Sequence, residues 1–331
     1  MQKKAQSLVI ALWILVILAL LAIGIAHRVS LALRLSRYHR ERLKAAWLAN
    51  AGVNFAIKQI ETDEAEVDSL KDQWADNKEI FEKISLGEGE SGFATVSYVF
   101  YEGDVVRVIF GVMDEESKIN INNASGEILT ELLISRGVEN ASVLTENIRS
   151  WRGDTDISIP EYDQAGYSNK GDKFSNAEEL CLVEGMSSDN YDLIKDLITV
   201  YPQNGQAMVN INTASRDVLE ILVNTSFNRL EARGVEVENA SGLLEAIITF
   251  REGDDGIFDN QDIELKLADL ISDLQKNIIT DPLDGLKSKV GVQSANYRII
   301  SQGNAEDVKL KYKINCVYSR KDKKFISWHQ N

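Results

Sequence analysis

Two acidic stretches carry the side chains best suited to chemistry: GDTDISIPEYD, from Gly153 to Asp163, and GDDGIFDNQD, from Gly253 to Asp262. Each follows a predicted helix and gathers carboxylates with glycine or asparagine. Loops of that kind can offer the six to eight oxygens that a hard cation such as calcium takes. The same carboxylates can equally stand solvated without an ion, and the sequence leaves both readings open. Little else is equipped for catalysis. His27, His39 and His329 sit toward the chain ends, no serine or cysteine lies in a nucleophile motif, and no cluster has catalytic zinc spacing. The chain is therefore expected not to be an enzyme and to take no small-molecule substrate. Gly87, Gly89 and Gly92 keep a G-x-G-x-x-G spacing, but a dinucleotide loop follows a strand and opens a helix. Here the order is reversed, and Glu88 and Glu90 intervene, so the segment reads as a connection. Cys181 and Cys316, 135 positions apart, have no metal-ligand spacing and read as buried small apolar side chains.

A second chemistry, binding of phosphate backbones, is raised by a repeat. VNINTASRDVLEIL, from Val209, nearly copies ININNASGEILTELL, from Ile119, and stretches of this kind open helix-hairpin-helix modules in DNA-binding proteins. Charge argues against that use. The chain has 36 basic and 51 acidic residues, net -15, and Asp114 to Lys287 alone holds 14 basic and 34 acidic ones. A surface of that sign repels DNA, whose binding draws its affinity from Lys and Arg. The Gly-hydrophobic-Gly turn is also absent, since VEGMSSDNYDLI places Ser187 and Asp189 near the anion's position. No nucleic-acid partner is expected. The duplication itself is extensive, because SRGVENASVLTENIRSWRGD from Ser135 recurs as ARGVEVENASGLLEAIITFREGD from Ala232.

The elements that must carry these segments begin with an anchor. Leu8 to Ala26 is a 19-residue run without a charge, long enough to cross a bilayer as a helix. A secretory signal would have a shorter apolar core and a small-residue cleavage site, whereas HRVSLALRLSRYHRERLKAAW follows here, so the helix is expected to be retained. Leu31, Leu35, Tyr38, Ala45, Ala49, Val53, Ala56 and Ile60 recur at helical spacing and predict one long helix packed along a domain. Only Lys3 and Lys4 precede the span, while Arg28, Arg34, Arg37, Arg40, Arg42 and Lys44 follow it, so the positive-inside rule alone would orient it backwards.

Phe93–Tyr101 and Val105–Val112 read as two strands joined at Glu102-Gly103-Asp104. Matching strand material returns only in NYRIISQG, VKLKYKINCVY and KFISWHQ, where Lys309, Lys311 and Lys313 alternate with apolar residues as on a sheet with one wet face. An antiparallel sheet is thus interrupted by the whole acidic helical segment.

That order of parts, with SLVIALWILVILAL, DEESKININNAS, SWRGDTD, FSNAEELCLVEGMSSDNYDLIKDLITVY and VNINTAS, resembles the type II secretion system minor pseudopilin K family over nearly the full length. The resemblance implies an α+β fold: a pilin-like long N-terminal helix plus antiparallel sheet, interrupted by a duplicated all-α helix-hairpin-helix-like (SAM-like) domain. It divides the chain into a prepilin-type leader (1–5), a transmembrane helix (6–28) and a pilin-like helix with first strands (29–113). Two SAM-like subdomains (114–203 and 204–287) and returning strands (288–331) complete it. It further implies a single-pass inner-membrane protein with its globular part in the periplasm, which resolves the orientation conflict. The implied role is noncatalytic: starting and capping the pseudopilus tip with minor pseudopilins I and J and other pseudopilins. The alternative is a membrane-tethered adaptor or receptor of another pilus-like or competence apparatus.

Residue by residue, the resemblance places prepilin peptidase cleavage between Ala5 and Gln6, with alanine where the family usually has glycine. The family's usual Glu, five residues into the mature chain, is replaced by Ile10. A carboxylate in hydrocarbon costs roughly 2.5–3.5 kcal/mol on insertion scales unless paired, so a subunit with Ile10 neither bears that cost nor needs that partner. A membrane-facing apolar residue would look the same. The family's calcium site maps onto Asp154, Asp156, Glu161 and Asp163, although Gly153 is extra, the loop is shorter and the family's Gly-Ala-Glu segment is missing.

Overall fold

Sixty-one residues, Gln2–Thr62, form a single helix, α1. Nothing in this stretch breaks it, because the first proline of the chain is Pro160. The structure, a computed structural model, describes residues 2–85, 87, 92–102, 105–154, 166–205, 207–231, 240–252, 285–305 and 310–330. From Ile10 to Arg40 every position of α1 is exposed. Packing starts at Glu41 and continues through Ala45, Leu48, Ala49, Val53, Ala56 and Ile60, all buried. The helical spacing placed Leu31, Leu35 and Tyr38 on this packed face as well, yet they stand 51, 51 and 45% exposed. The period is right, but the sheet does not reach that far along the helix. Each fully buried Leu, Ile or Val on the packed half contributes about 1.5–3 kcal/mol relative to exposure.

The sheet beneath α1 is antiparallel, in the order β1 (Phe93–Val96), β9 (Asn296–Ala305), β10 (Leu310–Ser319), β11 (Lys324–Gln330), and β4 (Met113–Asp114) also pairs with β9. The long strand predicted over 93–101 is two strands. Ser97 donates its amide to the Ile300 carbonyl at 3.1 Å, and beyond it β2 (Tyr98–Glu102) leaves the sheet to pair with β3 (Val105–Ile109) as a separate hairpin. The returning segments form β9, β10 and β11 as their alternation indicated. Lys311 and Lys313 are exposed and Ile314 is buried.

α1 lies directly on β9 at Gly303, where a Cβ would sit 1.9 Å from the Ala45 carbonyl oxygen and 2.7 Å from the Ala49 nitrogen. The core between them includes Trp74, Phe81, Val96, Tyr297, Ile299, Ile314 and Cys316. Burial pushes the Cys316 thiol up to about 12. Cys181 is exposed, not buried, so the paired reading of the cysteines holds for one of them.

The helical insertion leaves the sheet at β4 and returns at β9, where Asp114 and Tyr297 are register partners. Its two halves repeat one design. Two-residue strands open them, β5 (Ile119–Asn120) pairing in parallel with β6 (Ile198–Thr199), and β7 (Val209–Asn210) with β8 (Val290–Gly291). Helices α2 (Gly126–Ser135), α3 (Ala141–Trp151) and α4 (Ser188–Ile194) fill the first half; α5 (Arg216–Glu231) and α6 (Ala240–Glu252) lie in the second. One hydrophobic cluster runs through both, from Ile119 and Leu129 to Leu222, Ile247 and Val290, and it reaches Val317 of β10.

Candidate functional site: the exposed helix and the acidic joint

The exposed half of α1 is the first functional surface. Its most apolar 18-residue window has a mean hydropathy of 2.7, and none of that window is buried within the chain. Length and composition fit a single-pass membrane anchor. An apolar stretch of this size is not stable in water alone. Ile10 lies on it, 61% exposed. Ala5 and Gln6 belong to the first turns of the same helix.

The turn that opens each repeat is built by the same bonds. The Asn120 side chain accepts the Asn122 amide at 2.9 Å, and Asn210 accepts that of Asn212 at 3.0 Å. Ser125 and Ser215 accept the amides of Ile128 and Val218 at 3.3 and 3.4 Å, satisfying amides that the first helical turn leaves unpaired. A single arginine then clamps each turn. Arg152 donates to the carbonyls of Ile121 and Ala124, both at 2.8 Å, and Arg251 to those of Ile211 and Ala214, at 3.2 and 2.6 Å. In this chain the N-I-N-x-A-S motif therefore closes its own turn with its Asn and Ser side-chain oxygens, while the Nδ2 groups of Asn120, Asn122 and Asn210 donate to residues far along the chain.

This geometry decides what Asp154 does. Its two oxygens accept from Arg152 Nε at 2.9 Å, Arg152 Nη2 at 2.8 Å and Arg149 Nε at 2.9 Å. The Arg152 hydrogen bonds, ahead of a smaller opposing effect of burial, hold the carboxyl below its ordinary value. Asp154 thus anchors the arginine that clamps the first repeat. An ion bound here would have to share the carboxylate with two guanidinium groups. Asp156, Glu161 and Asp163 lie outside the described residues, as does all of GDDGIFDNQD.

The densest polar site is one the sequence reading missed. Where the insertion meets the sheet, Asp68, Asp114, Glu115 and Glu116 are all buried. Asp68 accepts two hydrogen bonds from Arg320, at 2.9 and 2.7 Å, one from the Tyr297 hydroxyl at 3.0 Å and one from the Ser294 amide at 2.6 Å. Asp114 accepts from the Glu116 amide at 2.8 Å, Asn210 Nδ2 at 3.1 Å and the Thr213 and Ser294 hydroxyls at 2.5 and 2.6 Å. Glu116 accepts from the Asn296 side chain and amide at 2.7 and 3.1 Å. Glu115 is held by Arg298 and Thr199. The second repeat is thereby fastened to α1's end loop and to β9 through Asn210, which also donates to the Asp68 carbonyl at 3.1 Å. DEES stands in the sequence, but its distant partners lie 84 to 183 positions away. Asp63, Asp68 and Asp72 also bring carboxylate oxygens within 4.8 Å of one another. Arg320 supplies the neutralising cation there, with Asp63 at 3.8 Å and Asp68 at 2.7 Å.

Burial, reinforced by the Asp68 charge, pushes Asp114 up to about 6 against the hydrogen bonds that favour its ionised form. Burial and the Asp114 charge raise Glu116 as well. For Glu115, burial works upward, but Arg298, Lys118 and the hydrogen bonds from Arg298 and Thr199 outweigh it and hold the group below its ordinary value. A folded-state value above the unfolded one makes Asp114 favour the fold below about pH 4, a contribution lost as pH rises through 6. Comparing urea midpoints of the detergent-solubilised chain with those of Asp114→Asn should show the wild type's relative stability falling by up to about 3 kcal/mol from pH 4 to 6.5. A difference that does not change with pH would mean that Asp114 stays ionised throughout.

The fold and the exposed helix define the class: a pilin-like α+β protein with one apolar anchor helix and a duplicated helical insertion. No protein-family model matches the chain, and no curated protein does. Among solved structures, a chain of the GspK-GspI-GspJ complex from the enterotoxigenic Escherichia coli Type 2 Secretion System is similar, with a TM-score of 0.63 and 14% sequence identity. The match covers 89% of this chain and 99% of that one. The fold is GspK-like.

Proposed function

We propose that this chain is a noncatalytic minor pseudopilin of a type II secretion system, which starts the periplasmic pseudopilus and caps its tip. The observation that carries the reading is the division of labour along α1. Residues 10–40 are exposed, and their charge-free part up to Ala26 is apolar enough to enter a membrane or a helix bundle, while the helix from Glu41 onward packs on a sheet that bears the insertion. A subunit built this way offers subunits below it a helix, and puts a bulky acidic domain where a subunit above would pack. The GspK-like fold, found in a complex with GspI and GspJ, supports minor pseudopilins I and J as partners. Under this reading the globular part is periplasmic, prepilin peptidase cuts before Gln6, and neither nucleic acid nor a small molecule is a substrate.

Gold label directed to the insertion of isolated pseudopili is expected at one end of each filament. Label along the shaft would defeat the capping role. Mass spectrometry of the membrane-extracted chain should find an N-terminus at Gln6, and an intact Met1 in cells with active peptidase would defeat the processing step.

A further inference from the structure

A cleft of about 860 Å³ opens between the β2–β3 hairpin, the first helical repeat and the face of the sheet turned away from α1. Its lining has the opposite sign from the rest of the chain. Lys118, Lys195, Arg298 and Lys313 line it against Glu178 and Asp196, in a protein of net charge -15. Two of these cations are already engaged, Lys195 with Asp192 at 2.7 Å and Arg298 with Glu115. The Lys118 and Lys313 ammonium groups make no side-chain hydrogen bond or ion pair with a described residue, although the Glu115 and Asp196 charges act on Lys118. Lys118 also borders a second, smaller cavity of about 40 Å³ beside Asp114. Burial draws the Lys118 ammonium below its ordinary value, while Glu115 and Asp196 hold it up.

Ammonium donors left unused on a cleft wall suit an anionic oxygen, the more so at Lys118, which is partly buried, because a desolvated cation without a hydrogen-bond partner is costly. The walls indicate the rest of the ligand. Val99 and Val108 on the hairpin line the cleft and are 44 and 58% exposed, with Tyr101 beside them at 43%. The floor is the polar face of β9 and β10, with Gln302 and Asn315 among its lining residues. An extended segment with alternating side chains would meet apolar and polar surfaces together.

We propose that this cleft binds an extended acidic peptide segment of a partner protein, whose carboxylates pair with Lys118 and Lys313 while its apolar side chains lie against the hairpin. The site is separate from the exposed half of α1, so the proposal does not depend on the pilus-assembly reading.

The test uses the full detergent-solubilised chain and a fluorescein-labelled decapeptide alternating Glu with Val, read by fluorescence polarisation. Saturable binding is expected, weakened at least tenfold when Gln replaces Glu in the peptide. Lys118→Glu together with Lys313→Glu should abolish it, while Lys118→Arg should retain it within about threefold, with thermal midpoints checked for each variant. Absence of saturable binding, equal binding of the Gln peptide, or undiminished binding to the folded double variant would each overturn the proposal.

Discussion

Asp68→Ala is expected to lower the unfolding free energy by about 3–5 kcal/mol, the cost of leaving one member of a buried ion pair without its partner. The Asp68 side chain is 1% exposed and Arg320 is 24% exposed, so the change takes the two-bond partner from a guanidinium that sits over the Tyr297 ring at 5.2 Å and leaves it only Asp63 at 3.8 Å and the Ser294 carbonyl at 2.6 Å. It also releases the Tyr297 hydroxyl and the Ser294 amide. Because the same cluster holds the loop after α1, β9 and the second repeat together, the loss should be felt by the sheet and the insertion alike. Chemical denaturation checks this directly. A cost under 1 kcal/mol would show that the joint is not a principal bond between the two parts. The double change Asp68→Ala with Arg320→Met should recover part of the loss, since removing both charges leaves neither uncompensated.

Gly303→Val should be at least as damaging. The atoms that a Cβ would meet there are the backbone oxygen of Ala45 and the backbone nitrogen of Ala49, so no side chain can turn aside. Relief requires lifting α1 from β9, which would open the core containing Ala49, Val53 and Ile299. Overpacking ordinarily costs about 1–3 kcal/mol and occasionally more; at this position the upper end or beyond is expected. Gly87→Ala is the control. Among the described residues nothing lies within 4 Å of a Cβ at Gly87, so the stability of that variant should stay within about 0.5 kcal/mol of the wild type. A folded Gly303→Val protein of wild-type stability would mean that α1 does not rest on the sheet as described.

What the sequence made legible were periodicities and repeats, because these are local. The charge-free run from Leu8, the alternation in β10 and the duplicated N-I-N-x-A-S turns each rest on neighbours within a few residues, and the structure contains all three elements. The acidic joint was not legible. Asp68 gives no local sign that its cation is Arg320, 252 positions later. Nor does the composition of GDTD show that Asp154 faces two arginines instead of solvent, since that depends on the turn that brings Arg149 and Arg152 to one side. Spacing alone also extended the packed face of α1 back to Leu31, because amphipathic period reports which side of a helix is apolar but not how much of its length has a neighbour. Ser97 shows the same limit in the sheet. The residues on both sides of it favour strands, and only the pairing of β1 with β9 and of β2 with β3 divides them.

The interrupted sheet sets an order of events during synthesis. β1 and β4 leave the ribosome long before β9, the strand with which both pair, and the 182 residues between Asp114 and Tyr297 must be translated first. At 5–20 residues per second that interval is roughly 10–40 s, far longer than a helical domain needs to form. Throughout it the buried face of α1 lacks β9 and β10, though β1, Trp74 and Phe81 already pack on it, and the edges of β1 and β4 that pair with β9 are open. The insertion, whose strands β5 to β8 pair among themselves, can complete most of its own hydrogen bonding within that time. Once folded, it presents β9 next to β4, so the last step becomes a short-range closure instead of a search across half the chain. The acidic domain would then act first as the internal template on which its own scaffold is finished.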